Sequence, residues 1–115
     1  MKNQIAPIER NFVQVQLGVL IFQEENSFIA YCPALQMSAY GESVSDAKEA
    51  FEDLIKSYIE DTEKMGTLEE DLKKHGWQKN TIKRIVEPPE EFDLNIPAGM
   101  LRKQFNKHIN VPVHN

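Results

Sequence analysis

The chain is expected to fold as an α+β domain, an antiparallel three- to four-stranded meander backed by a long helix. Three observations predict this. Residues 12–23, "FVQVQLGVLIFQ", place Val13, Val15, Leu17, Val19 and Ile21 on one face, the two-residue period of a strand. Two shorter runs of the same kind follow, separated only by turn chemistry. After Gly41 the apolar spacing changes to that of a helix and holds for about six turns at 3.6 residues each.

In the first strand, Gln14, Gln16 and Gly18 oppose the apolar row, and Leu20 and Phe22 make the far face apolar near its end. That end is therefore expected to be covered on both sides. "EENS" reads as a hairpin turn, because Asn26 tolerates left-handed backbone and Ser27 bonds locally. The second strand, Ser27–Cys32, sets Phe28, Ala30 and Cys32 against Ile29 and Tyr31. Pro33 has no N–H to give a ladder and should stop it. "PALQ" connects to a third strand, Met37–Gly41.

Ser43 followed by Asp46 resembles a capping box and marks the start of the long helix. Its apolar stripe is Val44, Ala47, Phe51, Leu54, Ile55, Tyr58, Ile59 and Met65, and Gly66 ends it. Thr67 with Glu70 repeats the capping pattern for a short helix that Gly76 stops, and Trp77 is expected to pack back on the sheet. "TIKRIVE" is a candidate fourth strand ended by Pro88–Pro89. "EFDLNIP" alternates again, and Met100–His108 reads as a basic helix. The division expected is a main domain over residues 1–87 and a strand-helix tail over 88–115.

Composition fits one globular domain: 115 residues, 41% hydrophobic and 27% charged. No run of 18 apolar residues is present, the N-terminal stretch lacks the apolar core of a signal peptide, and one cysteine forms no internal disulfide. A cytoplasmic protein is expected. The net charge of −5 is unevenly spread, at −1 over residues 1–41, −8 over 42–71 and +4 over 72–115. An acidic middle disfavours nucleic acid on that surface and suits a basic protein partner. A solvated helix face gives the same charge pattern, and both readings stay open.

The residues offer little chemistry. Cys32 stands at a strand end before proline, remote in sequence from His75, His108 and His114, and outside any cysteine-nucleophile signature. It reads as a small buried hydrophobe. One cysteine and three dispersed histidines give no zinc spacing, and five isolated glycines make no phosphate loop. No enzyme activity, metal or cofactor is expected. In the tail, an alternating strand followed by a basic helix resembles the opening of a ribbon-helix-helix DNA-binding unit. Asn95, Arg102 and Lys103 would then contact operator DNA, with Asp93 an awkward neighbour for phosphates. The chain given stops short of the second helix of such a unit. A dimerisation arm, or a strand docked on its own domain, is the alternative.

The stretch "ENSFIAYCPALQMSAYGESVSDAKEAFEDLIKSYIED" resembles the HicB family of antitoxins, within residues 12–65. The shared pattern falls on Ala30, Tyr31, Pro33, Leu35, Gly41, Ser43 and Asp46–Ala47, with spacing kept and no gaps. Gln36 and Met37 stand where the family often has Pro-Gly. The resemblance implies a partial RNase-H-like fold without nuclease activity that blocks HicA, a small basic mRNA-cleaving toxin. It also implies a homodimer or higher homo-oligomer and, in many members, promoter binding. On this reading Glu49, Glu52, Asp53 and Glu60 attract the toxin. The alternatives are a DNA-binding regulator acting through the tail, and an orphan dimeric scaffold of the same fold.

Overall fold

The computed structural model describes residues 12–89 and 99–113. Its fold is α+β, with a four-stranded antiparallel sheet, one long helix and a short second helix. Strand β1 runs Phe12–Glu24, β2 Ser27–Cys32 and β3 Met37–Gly41. Helix α1 spans Val44–Met65 and α2 Leu68–Lys74. A small hairpin of β4, Gln78–Asn80, and β5, Ile85–Glu87, precedes the last strand, β6, Leu101–Pro112. The main sheet has the order β3-β2-β1-β6.

The meander forms as its periodicity dictates. β1 pairs with β2 from Leu20↔Tyr31 to Glu24↔Ser27, and β2 pairs with β3 from Phe28↔Gly41 to Cys32↔Met37. Pro33 ends β2, and Leu35 N–H closes the turn on the Cys32 carbonyl at 3.2 Å. At the first hairpin Glu25, not Asn26, takes the left-handed backbone, with φ 55°. Gln23 Nε2 donates to the Glu25 carbonyl and helps hold that turn.

Ser43 caps α1, its hydroxyl accepting from Asp46 N–H at 3.0 Å, and Gly66 closes the other end at φ 71°. Gly41 permits the approach: a Cβ there would lie 2.3 Å from the Ala47 nitrogen, so the sheet-to-helix corner requires glycine. Ala47, Phe51 and Ile55 are buried against Leu17, Val19, Ile21 and Ala30 of the sheet. Two residues of the expected stripe lie outside the core, since Met65 is 67% and Leu54 37% exposed. Leu54 falls to one side of the arc that faces the sheet, and Met65 stands in the last turn beside the Gly66 terminus. Thr62 is buried instead, its hydroxyl donating to the Tyr58 carbonyl at 2.7 Å.

Thr67 precedes α2 but forms no side-chain cap, because its backbone is not extended (ψ 6°) and its oxygen is not aimed at the first turn. Trp77 is buried, and its indole N–H donates to the Ala34 carbonyl at 2.8 Å, tying the second half of the chain to the β2–β3 turn.

The expectation for "TIKRIVE" is corrected. Only Ile85–Glu87 is strand, and it pairs with Gln78–Asn80 apart from the main sheet. Asn80 is the reason: its side-chain oxygen accepts from the N–H of Ile82 and of Lys83, and this local bonding turns residues 81–84 into a loop.

The basic helix expected over Met100–His108 is likewise corrected. Residues 101–112 are a strand, antiparallel to β1 from Phe12↔Pro112 to Phe22↔Leu101. Met100, Leu101 and Phe105 make a weak helical stripe, whereas Phe105, Lys107, Ile109 and Val111 alternate with polar residues. β1 presents a long edge for that alternation, and Ile109 and Val111 become buried core. Residues 101–112 thus complete the main sheet. The "EFDLNIP" segment lies outside the described residues.

Candidate protein-binding surfaces

Helix α1 turns one face to the sheet and the opposite face to solvent. The solvent face carries Glu49, Asp53 and Glu60, all exposed and spaced four and seven residues apart. At 100° per residue they fall within one narrow stripe about 16 Å long, with Lys56 as the cation among them.

Glu52, the fourth acidic residue singled out from the sequence, is placed differently. It is half-buried on the flank of α1 and accepts from Lys107 Nζ of β6 at 2.5 Å. Its charge is used inside the molecule, joining helix to sheet. Alongside, Phe51 meets Phe105 edge-on with ring centroids 6.3 Å apart, and Lys48 Nζ sits 4.7 Å over the Phe105 ring. A shallow groove of about 350 Å³ runs between α1 and β6, floored by Ile55 and Ile59 and rimmed by Asp53, Lys56 and Glu63.

The tail residues do not converge. Arg102 is exposed on β6, and its guanidinium is committed to Gln23 Oε1, at 2.8 Å from Nη2, and to the Gly99 carbonyl. Lys103, next along the strand, is exposed on the opposite side. Asn95 lies outside the described residues.

Cys32 is fully buried between sheet and helix. Burial pushes its thiol above the ordinary range, with the N–H groups of Leu35 and Ala34 opposing weakly. A thiol so held is a poor source of thiolate. His75 Nδ1 lies 2.9 Å from the Asp71 carbonyl at the end of α2, and His108 Nε2 lies 3.2 Å from Gln16 Oε1. His114 is outside the described residues. Among the described residues no three His, Cys, Asp or Glu side chains gather as metal ligands. Among the described residues no helix is long and apolar enough to cross a membrane.

A second concavity was not anticipated. On the outer face of the sheet, opposite α1, Gln16 and Gly18 of β1 with Gln104 and Asn106 of β6 floor a groove of about 620 Å³. Pro33–Ala34 and Pro88–Pro89 wall it. The sequence signal was Gly18, a glycine inside an otherwise regular strand. The β6 half had none, because those residues read as helix. No protein-family profile matches the chain, and neither a curated protein nor a solved structure matches it.

Proposed function

We propose that the protein is a non-catalytic protein-binding module, an antitoxin of HicB type that binds and sterically occludes a small basic, HicA-like mRNA-cleaving toxin. The observation that carries this reading is the solvent face of α1. Glu49, Asp53 and Glu60 are exposed, clear of the core, on one stripe of a helix capped at both ends. Such a stripe attracts a basic partner over a Debye length and speeds encounter, while steric cover does the silencing. The meander joined to a capped helix agrees with the resemblance at Ala30, Tyr31, Pro33, Leu35, Gly41, Ser43 and Asp46–Ala47. On this reading the partial RNase-H-like fold serves as a scaffold, and the protein works in the cytoplasm as a homo-oligomer.

The test is co-purification with a small basic ribonuclease encoded in the same cells, followed by an RNA-cleavage assay with and without this protein. The triple charge reversal Glu49→Lys, Asp53→Lys, Glu60→Lys should lower the association rate by about tenfold or more at low salt and flatten its salt dependence. Unchanged kinetics would remove the steering role from α1. Operator binding through the tail loses its support, since the basic helix on which it rested is strand β6 and Arg102 is engaged within the sheet.

A further inference from the structure

The groove on the outer face of the sheet has three properties that converge on one kind of ligand.

The first is Gly18. Glycine inside a strand is costly unless backbone or packing requires it. Gly18 has no left-handed backbone, and a Cβ built on it meets nothing within 4 Å. Neither strain nor internal contact explains it, and the missing side chain keeps the floor of the groove open.

The second is the backbone of β1. Its pairing with β2 is confined to Leu20–Glu24, yet β1 starts at Phe12. From Val13 to Val19 the ladder on the other edge is with β6 alone, and no further backbone hydrogen bond among the described residues reaches this stretch. In an antiparallel pair every second residue directs its N–H and C=O outward. Leu17 lines the groove although its side chain is buried in the core, so it is the main chain that borders the space. Three of the wall residues, Pro33, Pro88 and Pro89, lack an N–H and cannot donate to it.

The third is charge. Among the described residues the lining contains no Asp, Glu, Lys, Arg or His. Phosphates and carboxylates have no counter-charge there. Gln104 and Asn106 each offer both a donor and an acceptor, the complement of a peptide group, and Gln16 adds its amide N–H groups while its Oε1 lies 3.2 Å from His108 Nε2.

We infer that this groove is a docking slot for an extended, uncharged peptide segment of a partner protein, laid along β1 between the proline walls. Strand addition supplies the main-chain hydrogen bonds, and the amides beside Gly18 hold the peptide's outward groups. The stretch without a β2 partner, Gln16 to Val19, accommodates about four residues in extended form, roughly 13 Å. The slot lies on the face opposite α1, so it does not depend on the acidic stripe or on the toxin reading.

The test uses the full chain and a displayed library of random seven-residue peptides, with the enriched sequence resynthesised and its affinity measured by fluorescence polarisation. The expected result is enrichment of peptides without charge at their central positions. Binding should fall at least tenfold with Gly18→Phe, and equally when alternate peptide nitrogens are methylated. Gly18→Ala, a smaller intrusion, should cost less, and circular dichroism should confirm that both variants stay folded. Binding indifferent to Gly18→Phe would overturn the assignment. So would absence of enrichment, the outcome expected if a neutral glycan is the ligand. Loss of the toxin reading with these results intact would leave the slot standing.

Discussion

At the scale of single residues, Tyr58 shows how one contact sets a pH response. Its hydroxyl donates to Asp71 Oδ2, fastening α1 to α2. Burial first, and then the Asp71 hydrogen bond and charge, push the phenol well above its ordinary range near 10. The folded state therefore keeps a proton that the unfolded chain releases. Stability from this group is complete below about pH 10 and is lost as pH rises beyond it. Urea unfolding between about pH 9 and about pH 11 should show falling stability, and Tyr58→Phe should flatten that slope. Glu87 behaves in the opposite sense. The Asn80 amide and then Lys83 hold its carboxyl below the usual carboxylate range, so acid loosens the β4–β5 hairpin.

Among elements, α1 is the one whose ends and faces have separate duties. The Ser43 hydroxyl satisfies an orphan N–H of the first turn. Ser43→Ala should lower stability by about 1 kcal/mol, measurable by chemical denaturation, without altering the fold. The inner face buries Ala47, Phe51 and Ile55, while the outer face keeps Glu49, Asp53 and Glu60 in water. Glu52 sits at the boundary, where Lys107 neutralises it. Strand β1 is asymmetric in a comparable way. Its first half is bordered by β6 on one edge only, and this leaves main chain facing the groove.

At the scale of the whole molecule, the fold closes only when β6 returns to β1. Ile109 and Val111 join Leu17, Val19 and Trp77 in one core. A chain cut after Met100 should lose its cooperative unfolding transition, because it exposes that core and strips β1 of its long partner. A tail that were a separate appendage would leave the transition intact. The acidic face of α1 and the groove lie on opposite sides of the main sheet.

Local pattern accounts for much of this. The alternation of Val13 to Ile21, the stop at Pro33, the Ser43 cap and the Gly66 terminus all act within a few residues. Each is set by backbone sterics or a short hydrogen bond, so the meander and α1 were legible in the chain. The acidic stripe was legible too, since helical spacing and charge are both written there. The loop made by Asn80 defeated the reading of "TIKRIVE", because a side chain outcompeted the strand it was meant to start. Residues 101–112 were decided elsewhere. Their sequence is ambiguous between periods, and the free edge of β1, some 90 positions earlier for the pair Gln16↔His108, supplied the hydrogen bonds that fixed them as strand. The groove depends on that same long-range pairing, for Gln104 and Asn106 reach Gly18 only in the register of β6 on β1. The sequence alone determined the elements whose signals are local, and tertiary structure decided those whose partners are distant, because only a formed edge chooses between two nearly equal local conformations.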